Sequence, residues 1–462
     1  MAAKRRSIVI GIYVLVSTMA LLLYGSNQIA LAPPAGKNNV PSETNMRTPT
    51  GNALELDSRD MASRGIQSSK PEFYFKELQR AIDIDDNDTR CRRYDYVFNA
   101  TTPKKRRLFY GALVADEPWE LFSIVAAETY GMFAAMVFVE GNRTQNLSPR
   151  KFQRLHSTRT MQTLFGTEQL QIRPFVDENT ALRGLAREHA QRAEILRGWK
   201  ELGMTPDDVG ILVDADETFT RDFLHAVQVC DGIDQLEYQH HHCIHTRVKI
   251  ISRARVFQGS PECISEGQSW FHPDMIVGAC VEGIGNEIMN PKAPRKPGHF
   301  LRATGFGSKC DDWEKETAIS DNRYPLWNAA DFRRTCGGSM VSLNTTAFPR
   351  HSAYTAFHFH NFFTGADSIR FKYRTYGHPN AQAYTKRLED MNNALKMMTR
   401  CVMNLADEPS QKWKRVAGGY NVSLPQLPIY FQDADYRQRR HHFMREIVTG
   451  DDKSLAAKRK AT

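Results

Sequence analysis

The segment Asp214-Ala215-Asp216-Glu217 sets two carboxylates two residues apart, directly after the apolar run Gly210 to Val213. In extended backbone, residues i and i+2 project to one side, so both carboxylates can reach one ion. Hard oxygen ligands select Mn2+ or Mg2+. Such an ion can bridge the two phosphates of a nucleotide-sugar and neutralise the charge that gathers on a departing diphosphate. Asp214 and Asp216 are therefore the predicted metal and diphosphate ligands, with Glu217 as a further site residue able to orient them.

Two other readings of the same string stay open. ILVDADETF also resembles the DxDxT loop of haloacid dehalogenase-type phosphatases, with Asp214 as nucleophile, Asp216 as acid/base and Thr218 in support. That loop normally follows a first strand, whereas here earlier strands are predicted. An acidic turn that caps the next helix is the remaining reading, although a cap needs only one carboxylate.

The elements around the motif alternate between strand and helix. LFYGALVA at 108–115, AAMVFVE at 134–140 and GILV at 210–213 read as short apolar strands. LQIRPFV at 170–176 is a weaker strand, and Pro174 moves it towards an edge. WELFSIVAAETY at 119–130 reads as an amphipathic helix opened by Pro118, 185–202 as a long helix, and 220–229 as a helix capped by Thr220 or Thr218. This succession predicts an α/β sheet with helices on both faces, whose ligands sit at the carboxyl ends of the strands. Glu140 ends one such strand, where its carboxylate can accept hydrogen bonds from uridine or ribose; a structural role competes.

The N-terminus predicts a compartment. Residues 8–24, IVIGIYVLVSTMALLLY, carry no charge and follow Lys4, Arg5 and Arg6. About 18–20 apolar residues span a bilayer, and the positive flank stays cytosolic. Ala30-Leu31-Ala32 has the form of a signal-peptidase site, but Pro33 follows it and the apolar run is long, so an uncleaved signal anchor is preferred. The predicted layout is a cytosolic tail (1–6), a transmembrane anchor (7–25), a Pro/Ser/Thr-rich flexible stem (26–70), a luminal domain (71–405) and a partly disordered C-terminal extension (406–462). The eight cysteines all follow the anchor and show no CxxC pair, which suits disulfides in an oxidising lumen better than structural zinc. Glycosylation sequons at Asn87, Asn99, Asn142, Asn146, Asn344 and Asn421 agree. The net charge of +9 over 462 residues is mild and comes without recognition motifs, so no nucleic-acid partner is predicted.

Several blocks, in order, resemble glycosyltransferase family 17, the β-1,4-mannosyl-glycoprotein 4-β-N-acetylglucosaminyltransferases. They run from about Arg106 to His378: Arg107 to Phe109, Glu120 and Glu128 in the first helix, VFVEGN at 137–142, Arg187-Glu188 with Arg192, VDADE at 213–217, and AFHFHNFFTGADSIRFKYRTYGH at 356–378. In the last block His358 takes the first histidine position, Lys372 the lysine and His378 the final histidine. The chain departs from the family at Ala356 and Phe357, at Thr218-Phe219 after the acidic motif, and at Val125, and little matches between Cys230 and Asp331.

The resemblance implies a GT-A-like nucleotide-diphospho-sugar transferase fold with a Rossmann-like mixed sheet. It implies UDP-GlcNAc as donor, a mannose-containing N-glycan as acceptor and inversion at the anomeric carbon; the anchor and stem predict a single-pass type II protein of the Golgi membrane, with the endoplasmic reticulum as the other compartment. His358 would complete the metal shell or contact phosphate, and Lys372 and His378 would help hold the donor. An inverting transfer needs a general base; Glu282 and Asp331 are the candidates after the motif. A catalytically silent glycan-binding protein with the same fold is the third function considered. His240 to His242, His245, His441 and His442 lack metal-site spacing and read as surface.

Overall fold

Four apolar runs form the parallel heart of the larger of two sheets. In a computed structural model of the chain, the described residues are 86–177, 182, 184–233, 250–252, 254–265, 270, 272–285, 339–341, 354–365, 368, 371–372, 375, 413–415, 427–433 and 435–444. The chain divides into two units, Met1–Asp57 and Ser58–Thr462, and every described residue belongs to the second. The predicted anchor and stem, Asp331 and His378 lie outside the described residues. Among the described residues no helix is long and apolar enough to cross a membrane.

A short helix α1 (Asn87–Arg93) precedes β1 (Leu108–Val114). Then come α2 (Trp119–Thr129), β2 (Ala135–Gly141), α3 (Thr158–Phe165), β3 (Leu170–Phe175), α4 (Leu185–Glu201) and β4 (Val209–Asp214). β3, β2, β1 and β4 lie side by side in that order and run parallel. The sheet continues through β9 (Asp274–Val277), which is antiparallel to both β4 and β6 (Ile250–Ile251), and ends at β10 (Ser339–Met340), which pairs parallel with β6. β3 with Pro174 is an edge strand of this described sheet, as its missing N–H requires. The architecture is mixed α/β with parallel strands, compatible with a Rossmann-like fold.

The second sheet has the order β12 (Trp413–Arg415), β8 (Cys263–Ser265), β7 (Ala254–Gln258), β11 (Ala356–His360) and β5 (Glu217–Phe219). β5 follows β4 after only Ala215 and Asp216, so the acidic motif is where the chain leaves one sheet for the other. Thr220 then caps α5 (Arg221–Val229) by accepting the Phe223 N–H at 3.3 Å, while Thr218 lies within β5.

Helix α4 lies close against β1 and β4, and two glycines permit it. A Cβ on Gly111 would fall 2.1 Å from Ile195, and one on Gly210 would fall 2.5 Å from the Trp199 ring. The Trp199 indole N–H donates to the Tyr110 carbonyl at 2.9 Å. A disulfide between Cys91 and Cys230 ties α1 to the end of α5, and Arg90, Arg93 and Tyr94 all bind the Asp222 carboxylate. Cys263 and Cys280 are also disulfide-bonded.

Two sequence expectations change here. Helix α2 is not amphipathic in its setting: of its residues only Glu120 escapes burial. The C-terminal segment covers it. Leu427, Ile429, Phe431, Tyr436 and Met444 are buried, and the Tyr436 hydroxyl and the Arg440 guanidinium both donate to Glu120, at 2.8 and 2.7 Å. A domain boundary at 405 therefore cuts off part of the core, because residues 427–444 belong to it.

Glu128 sits where α2, α5 and this segment meet. Its enclosed carboxylate accepts the backbone N–H groups of Ile429 at 2.6 Å and Arg221 at 2.9 Å. Burial pushes its pKa up to about 7, against the pull of those two N–H groups and the Arg221 charge. A raised carboxyl pKa favours the folded state fully below the unfolded value of 4.5, and that advantage is lost as pH rises through 7. Compared with Glu128→Gln, the wild type should lose about 3 kcal/mol of stability between those limits. Denaturant unfolding of both chains across pH 4 to 8, roughly the span of that titration, checks this; a constant difference would contradict it.

Candidate active site

The site begins at the carboxyl ends of three adjacent parallel strands. Register places Leu113 beside Asp214 and Val114 beside Glu140, so the chain leaves β1, β2 and β4 at one edge. After Asp214 the backbone turns at Ala215 and Asp216 and enters β5, which pairs antiparallel with β11. That pairing sets His358 opposite Glu217, and the Phe359 N–H fixes the Asp216 carbonyl at 2.7 Å.

Ligand atoms of Asp216, Glu217 and His358 lie within 4.8 Å of one another. The His358 Nε2 is 3.5 Å and the Lys372 Nζ 3.6 Å from the Asp216 Oδ2. Burial raises the cost of charge on Asp216, but the His358 and Lys372 charges and the His358 hydrogen bond outweigh it, and hold the carboxyl well below its usual range. Lys372 also lies 5.3 Å over the Phe363 ring. The His360 ring, next along this face, is kept neutral by burial and by the nearby Lys372 and His358 charges.

Glu217 has no exposed surface. One carboxylate oxygen accepts the Trp270 indole N–H at 2.7 Å and the other the Asp214 N–H at 3.1 Å. Trp270 stacks on His358, with ring centroids 4.7 Å apart and 23° between planes. Glu217 thus holds both the turn and the indole that positions the imidazole.

Asp214 is not one of the three converging groups. Its Oδ1 accepts from Arg192 at 2.7 Å, and the same guanidinium nitrogen reaches Glu188 at 2.7 Å. The same-side argument for Asp214 and Asp216 requires extended backbone, and the turn at Ala215 and Asp216 removes that condition. Asp214 stays close enough for its charge to act on Asp216.

Glu140 lies at the strand end but is fully enclosed. Its carboxylate accepts the N–H groups of Gln153, Arg154 and Leu155 at 2.6, 2.9 and 2.9 Å, with the Arg150 guanidinium at 3.7 Å. It anchors the loop after β2 instead of presenting itself to a nucleotide. Glu282 is displaced for a topological reason. β9 runs antiparallel to β4 with Val277 beside Val209, so the chain beyond Val277 emerges where β4 begins. At about 3.3 Å per residue, the length of β4 places Glu282 roughly 20 Å from Asp214, and it cannot serve this site as a base. His441 pairs with Glu262 at 2.5 Å.

The structure adds groups the sequence reading passed over. Glu117, just after β1, has its pKa raised by burial, and feels the charges of Lys372 and Asp216. Its neighbour Asp116 accepts from Gln153 at 2.7 Å. The strand-end logic that singled out Asp214 applies equally to the end of β1 and could have found Glu117. His272 had no such signal, because it reaches the site through β9, from a distant part of the chain. Comparison of the chain with protein-family models and with curated proteins finds no match.

Trp270→Phe keeps a ring against His358 but removes the donor to Glu217. A buried carboxylate left short of a hydrogen bond should cost about 1–3 kcal/mol. Denaturant unfolding of wild type and variant measures this, and an unchanged midpoint would show that Glu217 does not depend on the indole.

Proposed function

We propose that the chain is a metal-dependent glycosyltransferase with a GT-A-like fold. It transfers a sugar from a UDP-sugar, UDP-GlcNAc by the family resemblance, to a mannose-containing N-glycan with inversion. On the same reading residues 7–25 anchor it in the Golgi membrane with the folded domain in the lumen. One observation carries the proposal: Asp216, Glu217 and His358 converge at the edge where parallel strands end.

The donor set suits a divalent ion. Two carboxylates and one imidazole match Mn2+, with Mg2+ a poorer match to the nitrogen. The two acidic groups have Lys372 nearby as a cation, which leaves negative charge for an ion to offset. Asp216, Glu217 and His358 would hold the ion, which supplies charge neutralisation at the diphosphate when bound. The chain's own residues do the rest. Lys372 adds positive charge beside Asp216, where the diphosphate departs. Arg192 fixes Asp214 at the mouth of the site, and Glu140 fixes the loop that walls it.

The phosphatase reading fits less well. It needs Asp214 as a nucleophile, and the Arg192 guanidinium already binds that carboxylate and draws off its charge. The silent glycan-binding reading predicts no nucleotide affinity at all.

Calorimetry of the full chain with UDP and with UDP-GlcNAc, with and without Mn2+, tests the proposal. Wild type should bind UDP only with Mn2+, and Asp216→Asn should weaken that binding by about 100-fold. Binding indifferent to Mn2+, or equal affinity in Asp216→Asn, would overturn it.

A further inference from the structure

We infer that His272, oriented by Asp274, is the general base that deprotonates the acceptor hydroxyl. The inference rests on the glycosyl-transfer reading above and supplies the group that Glu282 cannot. Three observations bring this pair to the site.

The first is topology. β9 pairs antiparallel with β4, and Asp274 lies beside Leu212 near the carboxyl end of β4. The residues that lead into β9, Trp270 and His272 among them, therefore enter at the edge where Asp214 and Asp216 emerge. This is the opposite edge from Glu282.

The second is ring contact. The His272 ring lies 5.3 Å from the Trp270 indole, edge to face, and the same indole stacks on His358 at 4.7 Å. One tryptophan joins the imidazole of the metal-binding group to the imidazole of the pair. The indole N–H is engaged by Glu217, so Trp270 has a defined place between them.

The third is the pair itself. The His272 Nδ1 lies 2.6 Å from the Asp274 Oδ2, and Asp274 has no exposed surface. A carboxylate on Nδ1 places the ring proton there and the basic lone pair on Nε2. It also stabilises the imidazolium that forms when Nε2 takes a proton, the arrangement in which an aspartate orients a histidine base. The His272 side chain keeps 13% of its surface exposed, which leaves it within reach of solvent and an acceptor.

The step balances without any further reagent. The His272 Nε2 takes the proton of the acceptor hydroxyl. The acceptor oxygen forms the new bond to the anomeric carbon while the bond from that carbon to the diphosphate oxygen breaks. The nucleoside diphosphate leaves with the electron pair, and the imidazolium later gives its proton to solvent.

The test uses the full chain, UDP-GlcNAc, Mn2+ and a mannose-containing N-glycan, with turnover, donor KM, thermal midpoint and Mn2+-dependent UDP affinity measured in parallel. His272→Gln should lower kcat by about 10²- to 10⁴-fold, with donor KM and UDP affinity within about threefold of wild type. Asp274→Asn removes the charge that stabilises the imidazolium and offers an amide NH2 that can donate to Nδ1, which favours the unproductive tautomer; it should lower kcat without moving donor KM. External imidazole should restore part of the turnover of His272→Gly, which keeps the inference testable where His272→Gln is unstable. Less than a tenfold loss in His272→Gln, or a loss matched by lost UDP affinity at an unchanged thermal midpoint, would overturn the inference and leave the transferase reading standing. Absence of sugar transfer by the wild type would overturn both.

Discussion

The Glu217 carboxylate is enclosed at the seam between two sheets, and a buried charge persists only where donors replace the water it has lost. Its two oxygens are divided between the Asp214 N–H and the Trp270 indole. The first bond closes the turn through Ala215 and Asp216. The second pins a tryptophan that comes from the approach to β9. Because Glu217 is also the first residue of β5, opposite His358 in β11, one side chain links three segments far apart in sequence. The meeting of Asp216 with His358 rests on the β5–β11 pairing and the Phe359 N–H bond to the Asp216 carbonyl, and the Glu217 side chain adds to them the turn and the indole.

A second constraint comes from the end of the chain. α2 is buried on nearly every side, which leaves Glu120 and Glu128 needing partners that the helix cannot supply. Residues 427–444 supply them. Arg440 meets Glu120 and also donates to the carbonyls of Gly259 and Phe363, at 2.9 and 3.1 Å. Phe363 in turn supports Lys372 beside Asp216. The position of a cation at the site is thus coupled, through Phe363, to a segment more than sixty residues further along the chain.

Those two constraints mark how far the sequence was legible. Buried parallel strands are written locally, as continuous apolar runs, and each of the four central strands was readable within a residue or two at its ends. The edge position of β3 followed from Pro174 alone. The strand-end position of Asp214 was readable for the same local reason. What the sequence could not show was the turn after it, because whether Asp214 and Asp216 face one ion depends on a bond to Glu217. Glu140 looked like a ligand because a carboxylate at a strand end is exposed unless a loop folds over it; Gln153 to Leu155 do so. α2 read as amphipathic because its covering segment lies some three hundred residues away. His272 was hidden for the same reason: its ring contact runs across the fold, and no spacing encodes it.

The charges at the site divide into two sets. Asp214 carries its counterion within the protein, on Arg192, which is almost wholly buried and shared with Glu188. Asp216 and Glu217 face Lys372 and an imidazole whose charge depends on its protonation. A neutral His358 leaves this second set with net negative charge, because Lys372 offsets only one of the two carboxylates, and a divalent ion is then attracted to it. A protonated His358 would cancel that charge and repel the ion. The bond from Glu217 to Trp270 that closes the seam also sets the indole against His358, so the contact that holds the turn fixes where the imidazole stands relative to the two carboxylates.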